Sequence, residues 1–344
     1  MSPGQAGATP KTEFFAYDNI DWYRRLLLRL RYSIDTRAYE SFAQIIAGIL
    51  NNELKLPALA LPGDEGAALN DAASIRRDGY VATGPLLDAT AVAEVRTYLD
   101  RQKVHDGWER IPGEYSVDAA PDRVHVAHFD NRVLVDCPQL IYLASHPRVI
   151  ARVSQFLGTT PTIHYFSLWW SLAGRAHPED AQLFHIDRHC YRFVKLFVYL
   201  TDVDTESGPH CFVRGSSDVS SIRQRMTAIA QTDPDSAKRF KAMLQSQRKN
   251  DGDVEAFFGA DKLTYITGQA GDSFIVNTAG YHKGYLPKSR NRLVFQALYT
   301  MLPTIKDPVA PLAVPDFLAN YRRLHGNLFS DDHLMYMNRL VIRP

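Results

Sequence analysis

The sequence predicts a mainly β domain with flanking helices, a sandwich or jelly roll rather than a parallel α/β sheet. Two observations carry that expectation. Short runs rich in β-branched and aromatic residues follow one another at 161–172, 181–187, 193–201, 210–214, 263–267, 273–277 and 292–300, punctuated by Gly, Pro and Asp. Strands in close succession suit an antiparallel arrangement, because parallel strands need a helix between them. Hydrophobic residues make up 45% of the 344 and charged residues 22%, the balance of a chain that buries a core.

The elements read as follows from the start of the chain. Residues 1–12 are rich in Gly, Pro, Ala and Thr and read as a leader. Trp22, Leu26, Leu27 and Leu30 recur at helical spacing, and a second helix is expected over Ser41–Leu50. A Pro/Gly-rich connection spans 55–70, so 1–74 is expected to form a helical appendage. A core domain over 75–310 then opens with a helix end, a turn at Gly79, a strand near Tyr80–Ala82 and a helix over Ala89–Asp100. Residues 138–157 read as helical up to Gly158. The strand region is interrupted at 216–262 by a polar insertion with helices expected at Ser220–Ala230 and Asp235–Gln247. Its basic residues, Arg223, Arg225, Lys238, Arg239, Lys241, Arg248 and Lys249, read as solvated helix faces balanced by Asp233, Asp235, Asp251 and Asp253. The competing reading is a lid that meets an anionic substrate. A helical segment at 311–344 is expected to pack on the core.

Bulk properties exclude several classes. A net charge of +1 gives no global field for nucleic acid. No run approaches the roughly 18 apolar residues that a membrane span needs. Cys137, Cys190 and Cys211 are odd in number and form no C-x-x-C pair, which argues against a disulfide framework or a zinc knuckle. The opening MSPGQAGATPKTEFF has no basic start followed by an apolar run, so the expectation is a soluble cytoplasmic protein. Its oligomeric state is not readable from the sequence.

The chemistry centres on FHID at 184–187. On a strand, residues two apart share a face, so His185 and Asp187 can address one metal ion. Two histidines and a carboxylate form the facial triad of non-haem iron(II) oxygenases, which leaves open coordination positions. A second H-x-D, His128 and Asp130, lacks the succeeding strands and reads as surface or structural. His282, after a strand and a small-residue turn, is the candidate third ligand. Arg292 follows at the start of the next strand. A guanidinium fork there can hold the distal carboxylate of 2-oxoglutarate by two charge-assisted hydrogen bonds. Arg290 competes, but KSRN reads as a turn tip.

FHID, LTDVDTESGPHCFVRGS, ITGQAGDSFIVNTAGYHKG and NRLVFQALY together resemble the phytanoyl-CoA dioxygenase branch of the iron/2-oxoglutarate oxygenases, and DGYVATGPLLDATAVAEVRTYLD is similar to that family's opening. The resemblance covers roughly residues 75–300. It implies a double-stranded β-helix core. It also implies Fe(II) held by His185, Asp187 and His282, with Arg292 anchoring the cosubstrate 2-oxoglutarate and O2 consumed. The implied activity is hydroxylation of an unactivated C–H bond in a small-molecule or carrier-bound metabolite, with release of succinate and CO2. Desaturation, epoxidation and ring closure stay open within the class, and a cupin-type metal enzyme or a jelly-roll binding protein outside it. Related halogenases carry Gly or Ala where this chain has Asp187, so halogenation is not expected. One departure stands out: a hydroxyl residue is frequent two positions after the distal histidine, and here the position is Gly284.

Other residues are placed by strand position. Phe197 and Tyr199 are expected beside the cosubstrate, and His189 and Trp169 at the substrate. Trp170, His164 and Tyr165 are expected to pack in the core. His210 reads as structural. Cys190 with neighbouring His189 is a poor nucleophile pair, because adjacent strand residues point to opposite faces.

Overall fold

Antiparallel pairing organises the middle of the molecule. The computed structural model describes residues 34–56, 65–302 and 310–343. The expected helix around Trp22–Leu30 lies outside these residues. The strands are β1 (Tyr80–Pro85), β2 (Val104–Asp106), β3 (Glu114–Tyr115), β4 (Val126–His128), β5 (Thr162–Ser171), β6 (Phe193–Tyr199), β7 (His210–Val213), β8 (Leu263–Ile266), β9 (Asp272–Val276), β10 (His282–Gly284), β11 (Arg292–Thr300), β12 (Leu312–Ala313) and β13 (Ile342–Arg343). Eight form one sheet in the order β1-β9-β6-β11-β5-β4-β2-β3, with every pair antiparallel. A smaller antiparallel sheet runs β10-β7-β8, and β12 pairs in parallel with β13.

The central strands β6 and β11 are buried along their whole length. Their faces differ in kind, and the period of two sorts them. Leu196, Val198, Leu293, Phe295 and Ala297 join the main apolar core. Lys195, Phe197, Tyr199, Arg292, Val294 and Gln296 line a cavity on the other face. The neighbouring β5 divides the same way, with Leu168 and Trp170 in the core and Ser167, Trp169 and Ser171 on the cavity.

Helices close the core side. Helix α1 (Thr36–Leu54) starts at Asp35, whose side chain accepts from the Ala38 N–H, and α2 is Glu65–Arg77. They contribute Ala43, Ala47, Ala72 and Ile75 to the main core. Helix α3 (Ala89–Leu99) is capped by Asp88. Helix α4 (Pro147–Leu157) begins with proline in its first turn and ends at Gly158, φ 80°. After the strands, α8 (Phe317–His325) and α9 (Asp331–Asn338) add Phe317, Tyr321, Leu334 and Met337 to that core. Between β7 and β8 lie α5 (Val219–Thr232), α6 (Pro234–Gln245) and α7 (Asp251–Phe258). These pack a second cluster in which Phe240, Met243, Val254 and Phe257 meet Phe184, Cys211, Val213 and Tyr281.

Several expectations are corrected. Residues 181–187 form no strand: a 3-10 turn covers Asp180–Gln182, followed by single bridges at Phe184 and His185. The expected helix at 138–157 is broken into Pro138–Ile141 and Pro147–Leu157, because Pro147 disfavours helical backbone at His146 before it. Residues 65–70 belong to α2, not to a loop connection. Strands β2, β3, β4 and β10 and helix α7 had not been expected, each being too short to establish a period of its own. Among the described residues, no helix is long and apolar enough to cross a membrane.

Candidate active site

Backbone pairing brings the site together. His185 and His282 exchange two backbone hydrogen bonds, each 3.0 Å, which sets their rings 4.3 Å apart between centroids. Two residues on, the Asp187 N–H donates to the Thr278 carbonyl at 2.8 Å. Among the described residues, His185, Asp187 and His282 offer ligand atoms that all lie within 4.8 Å of one another. The Nδ1 atoms of the two histidines lie 2.9 Å from the Leu183 carbonyl and 3.0 Å from the Gly280 carbonyl. A carbonyl only accepts, so each Nδ1 carries a proton and donates it there. The Nε2 atoms face Asp187, at 3.9 Å for His185 and 3.5 Å for His282.

Electrostatics set the charge of His185 and Asp187. Burial, followed by the proximity of His282, pushes His185 down to about 3, so its imidazole is neutral at pH 7. Burial works against the Asp187 carboxylate. Lys195, whose Nζ lies 2.7 Å from Oδ2, together with the nearby His282 and His189, overcomes that and holds it well below the usual carboxylate range. Lys195 had not been singled out from the sequence. Its signal was available: a lone charge in the otherwise apolar FVKLFVY of β6 needs a buried partner.

Arg292 sits at the head of β11, directly opposite Ser171 in register, and its Nη2 donates to the Ser171 hydroxyl at 3.0 Å. It is 5% exposed, and among the described residues nothing accepts from its Nε or Nη1. Burial pushes its pKa down, yet a guanidinium remains charged in any protein interior. Arg290 is different, because it is exposed and paired with Asp204. Gly284 acquires a reason here. A Cβ at that position would come within 2.7 Å of the Arg292 Nη2, so the guanidinium occupies the space a side chain would need, and Ser171 supplies the neighbouring hydroxyl.

One cavity of about 900 Å³ holds both features. Phe197, Tyr199, His189 and Trp169 all line it. The Tyr199 hydroxyl is already committed, donating to the Ile266 carbonyl at 2.7 Å and accepting from the His210 N–H at 3.2 Å, so the residue offers its ring. The ring of Phe197 stacks on Phe274 at 5.2 Å. His189 packs against Tyr165 and Phe193, with its Nε2 3.8 Å from Asp187.

Three residues placed elsewhere by the sequence reading belong to the cavity wall. His128 ends β4, half-buried, and stacks on Trp169 at 5.4 Å. Its partner in the second H-x-D motif, Asp130, turns away to cap the helix Asn131–Val135. His210 stacks on His282 at 5.5 Å. Tyr165 also lines the cavity, and its hydroxyl accepts from Gln296 at 3.0 Å. Trp170 faces the core as expected. Cys190 and Cys211 are buried, and burial pushes the Cys211 thiol up to about 12, which leaves it unreactive.

Residues 75–283 match the family model of phytanoyl-CoA dioxygenase (PhyH), well over half of the chain, and the chain belongs to that family. No curated protein matches it in sequence. Among solved structures it is similar to the non-heme alpha ketoglutarate dependent epimerase SnoN from nogalamycin biosynthesis, at 20% identity over 69% of this chain and 83% of that one, TM-score 0.43. HygX from Streptomyces hygroscopicus, with nickel and 2-oxoglutarate bound, is 17% identical over 70% of this chain and 92% of that one, TM-score 0.44. The carbocyclase SnoK from nogalamycin biosynthesis is 17% identical over 69% and 87%, TM-score 0.42. These likenesses are distant, and the chemistry of the site rests on this chain's own atoms.

Proposed function

We propose that this protein is an iron(II)/2-oxoglutarate-dependent oxygenase with a double-stranded β-helix core, which hydroxylates an unactivated C–H bond of a small-molecule or carrier-bound metabolite. One observation carries the reading: a buried arginine with two unused donors shares a cavity with the His185/Asp187/His282 group. Either feature alone would also suit a protein that oxidises nothing. A simple metal-binding protein has no use for a buried guanidinium that lacks an anion, and its desolvation would be uncompensated.

The donor set fits the proposed groups. Two imidazoles whose Nδ1 atoms are taken up by carbonyls and one carboxylate suit iron(II), and three protein ligands leave coordination positions for others. The orphaned Nε and Nη1 of Arg292 suit the distal carboxylate of 2-oxoglutarate. Bound there, iron(II) and 2-oxoglutarate supply the activation of O2, with succinate and CO2 as by-products. The chain's own residues supply position and exclusion of water. Leu183 and Gly280 fix the two imidazoles through their carbonyls. Lys195, 2.7 Å from Oδ2 of Asp187, keeps that carboxylate charged. Phe197, Phe274 and the Tyr199 ring wall off the Arg292 end from bulk water. Trp169 and His189 border the space left for substrate.

Anaerobic reconstitution with iron(II) and 2-oxoglutarate tests the reading. The expected result is a weak visible charge-transfer band of the chelate, lost in His282→Ala and reduced in Arg292→Ala. A wild-type protein that binds iron but develops no band would remove 2-oxoglutarate from the assignment. A protein that binds no iron would remove the triad.

A further inference from the structure

The outer part of the cavity carries charge that neither the metal ligands nor the cosubstrate anchor uses. Arg188, Arg248 and Lys249 line it. Asp187 is the only carboxylate in the lining among the described residues, and Lys195 already lies 2.7 Å from it. Arg248 reaches Asp180 at 3.7 Å, but both side chains of that pair are partly exposed and solvent screens them. Lys249 is 4% exposed. Its ammonium donates to the Ser246 carbonyl at 2.6 Å and lies 5.1 Å from the Tyr281 ring centre, and no carboxylate among the described residues pairs with it. Burial, then the charges of Arg188 and Arg248, push it down to about 8.

A buried ammonium held by a carbonyl and an aromatic ring is costly unless an anion joins it. The cluster is also held at a fixed place. The Lys249 N–H donates to the Phe184 carbonyl at 2.9 Å, and Phe184 directly precedes the metal-ligand candidate His185. Elsewhere on the lining, Trp169 and His128 form a stacked pair only 10° from parallel, a flat face for an apolar body.

We infer that the substrate is an oxyanion, a carboxylate or a phosphate ester, whose charged group binds among Arg188, Arg248 and Lys249 while its apolar body lies against Trp169 and His128. Two guanidinium forks and an ammonium match the several acceptor oxygens of such a group. The inference rests on the oxygenase reading of this cavity and adds a substrate class to it.

Calorimetric titration of inorganic phosphate and of benzoate into the full chain, without metal or 2-oxoglutarate, tests the inference. Wild type should bind at least one probe at a single saturable site, and which probe binds separates phosphate from carboxylate. The double variant R248Q/K249M should weaken that binding about tenfold or more, the loss expected for charge-assisted hydrogen bonds. K249R should retain it, and R188Q should weaken it in an otherwise intact protein. No saturable binding in wild type would overturn the inference. So would binding unmoved in both R248Q/K249M and R188Q. The chelate band separates the two claims: a band without anion binding sinks only the substrate class, and anion binding without a band supports this site while sinking the oxygenase reading.

Discussion

Lys195 and Asp187 form the residue pair on which the charge balance of the metal-free site depends. Both are buried, and each charge is tolerated because the other is 2.7 Å away. Lys195→Met would leave a buried carboxylate without its partner. The expected loss is about 3–5 kcal/mol of metal-free stability. On the proposed reading a divalent metal would interact with the same carboxylate, so manganese should restore more stability to the variant than it adds to wild type. Urea denaturation with and without manganese measures this, and equal metal stabilisation in both proteins would refute the account. The residue scale is also where the sequence was most and least informative. That His185, Asp187 and His282 come together was legible from residue type and spacing. His128 and His210 were not, because their place on the cavity wall depends on short strands that leave no period to read. Gly284 looked like a missing contact, and only the approach of Arg292 explains it.

At the scale of elements, the long strands and the insertion carry different lessons. The runs that became β5, β6 and β11 were readable from their composition, and the period of two also sorts their residues between core and cavity. The segment 181–187 has the same composition but no neighbour to pair with along its length, so it yields two isolated bridges. The insertion was expected as two polar helices, yet its third helix ties it to the site. Asp251, at the start of α7, accepts from Lys283 at 2.7 Å, next to His282, and Phe257 shares a cluster with Phe184, next to His185. The insertion is therefore packed at two points onto the segments that carry His185 and His282. Phe257→Ala, at a position with 0% exposure, should cost about 3–5 kcal/mol and lower metal affinity with it. Denaturation paired with a metal titration tests the coupling. A large stability loss with unchanged metal affinity would show that the insertion folds independently of the triad.

Across the whole molecule, the pattern of buried imidazoles sets how stability responds to acid. Burial, with His105 close by, lowers His128 to about 4. Burial, with His325 close by, does the same to His146. Burial takes His185 to about 3. In the unfolded chain each of these would titrate near 6.5. The folded values are depressed, so the unfolded state takes up protons first as the pH falls. The stabilisation is fully present above about 6.5 and is lost progressively down to the folded values. His128 alone contributes up to about 3 kcal/mol of that loss by about pH 4. The carboxylates held low, Asp187, Asp218, Asp233 and Asp253, contribute only below their ordinary value of 3.8, so the upper part of the acid limb belongs to the histidines. Urea midpoints should therefore fall steadily between about pH 6.5 and 4.5 and more shallowly in His128→Gln, whose replacement does not titrate. A flat profile over that window would mean that these rings are protonated as easily as in water, and a cavity that wet could not keep Arg292 and the triad poised as proposed.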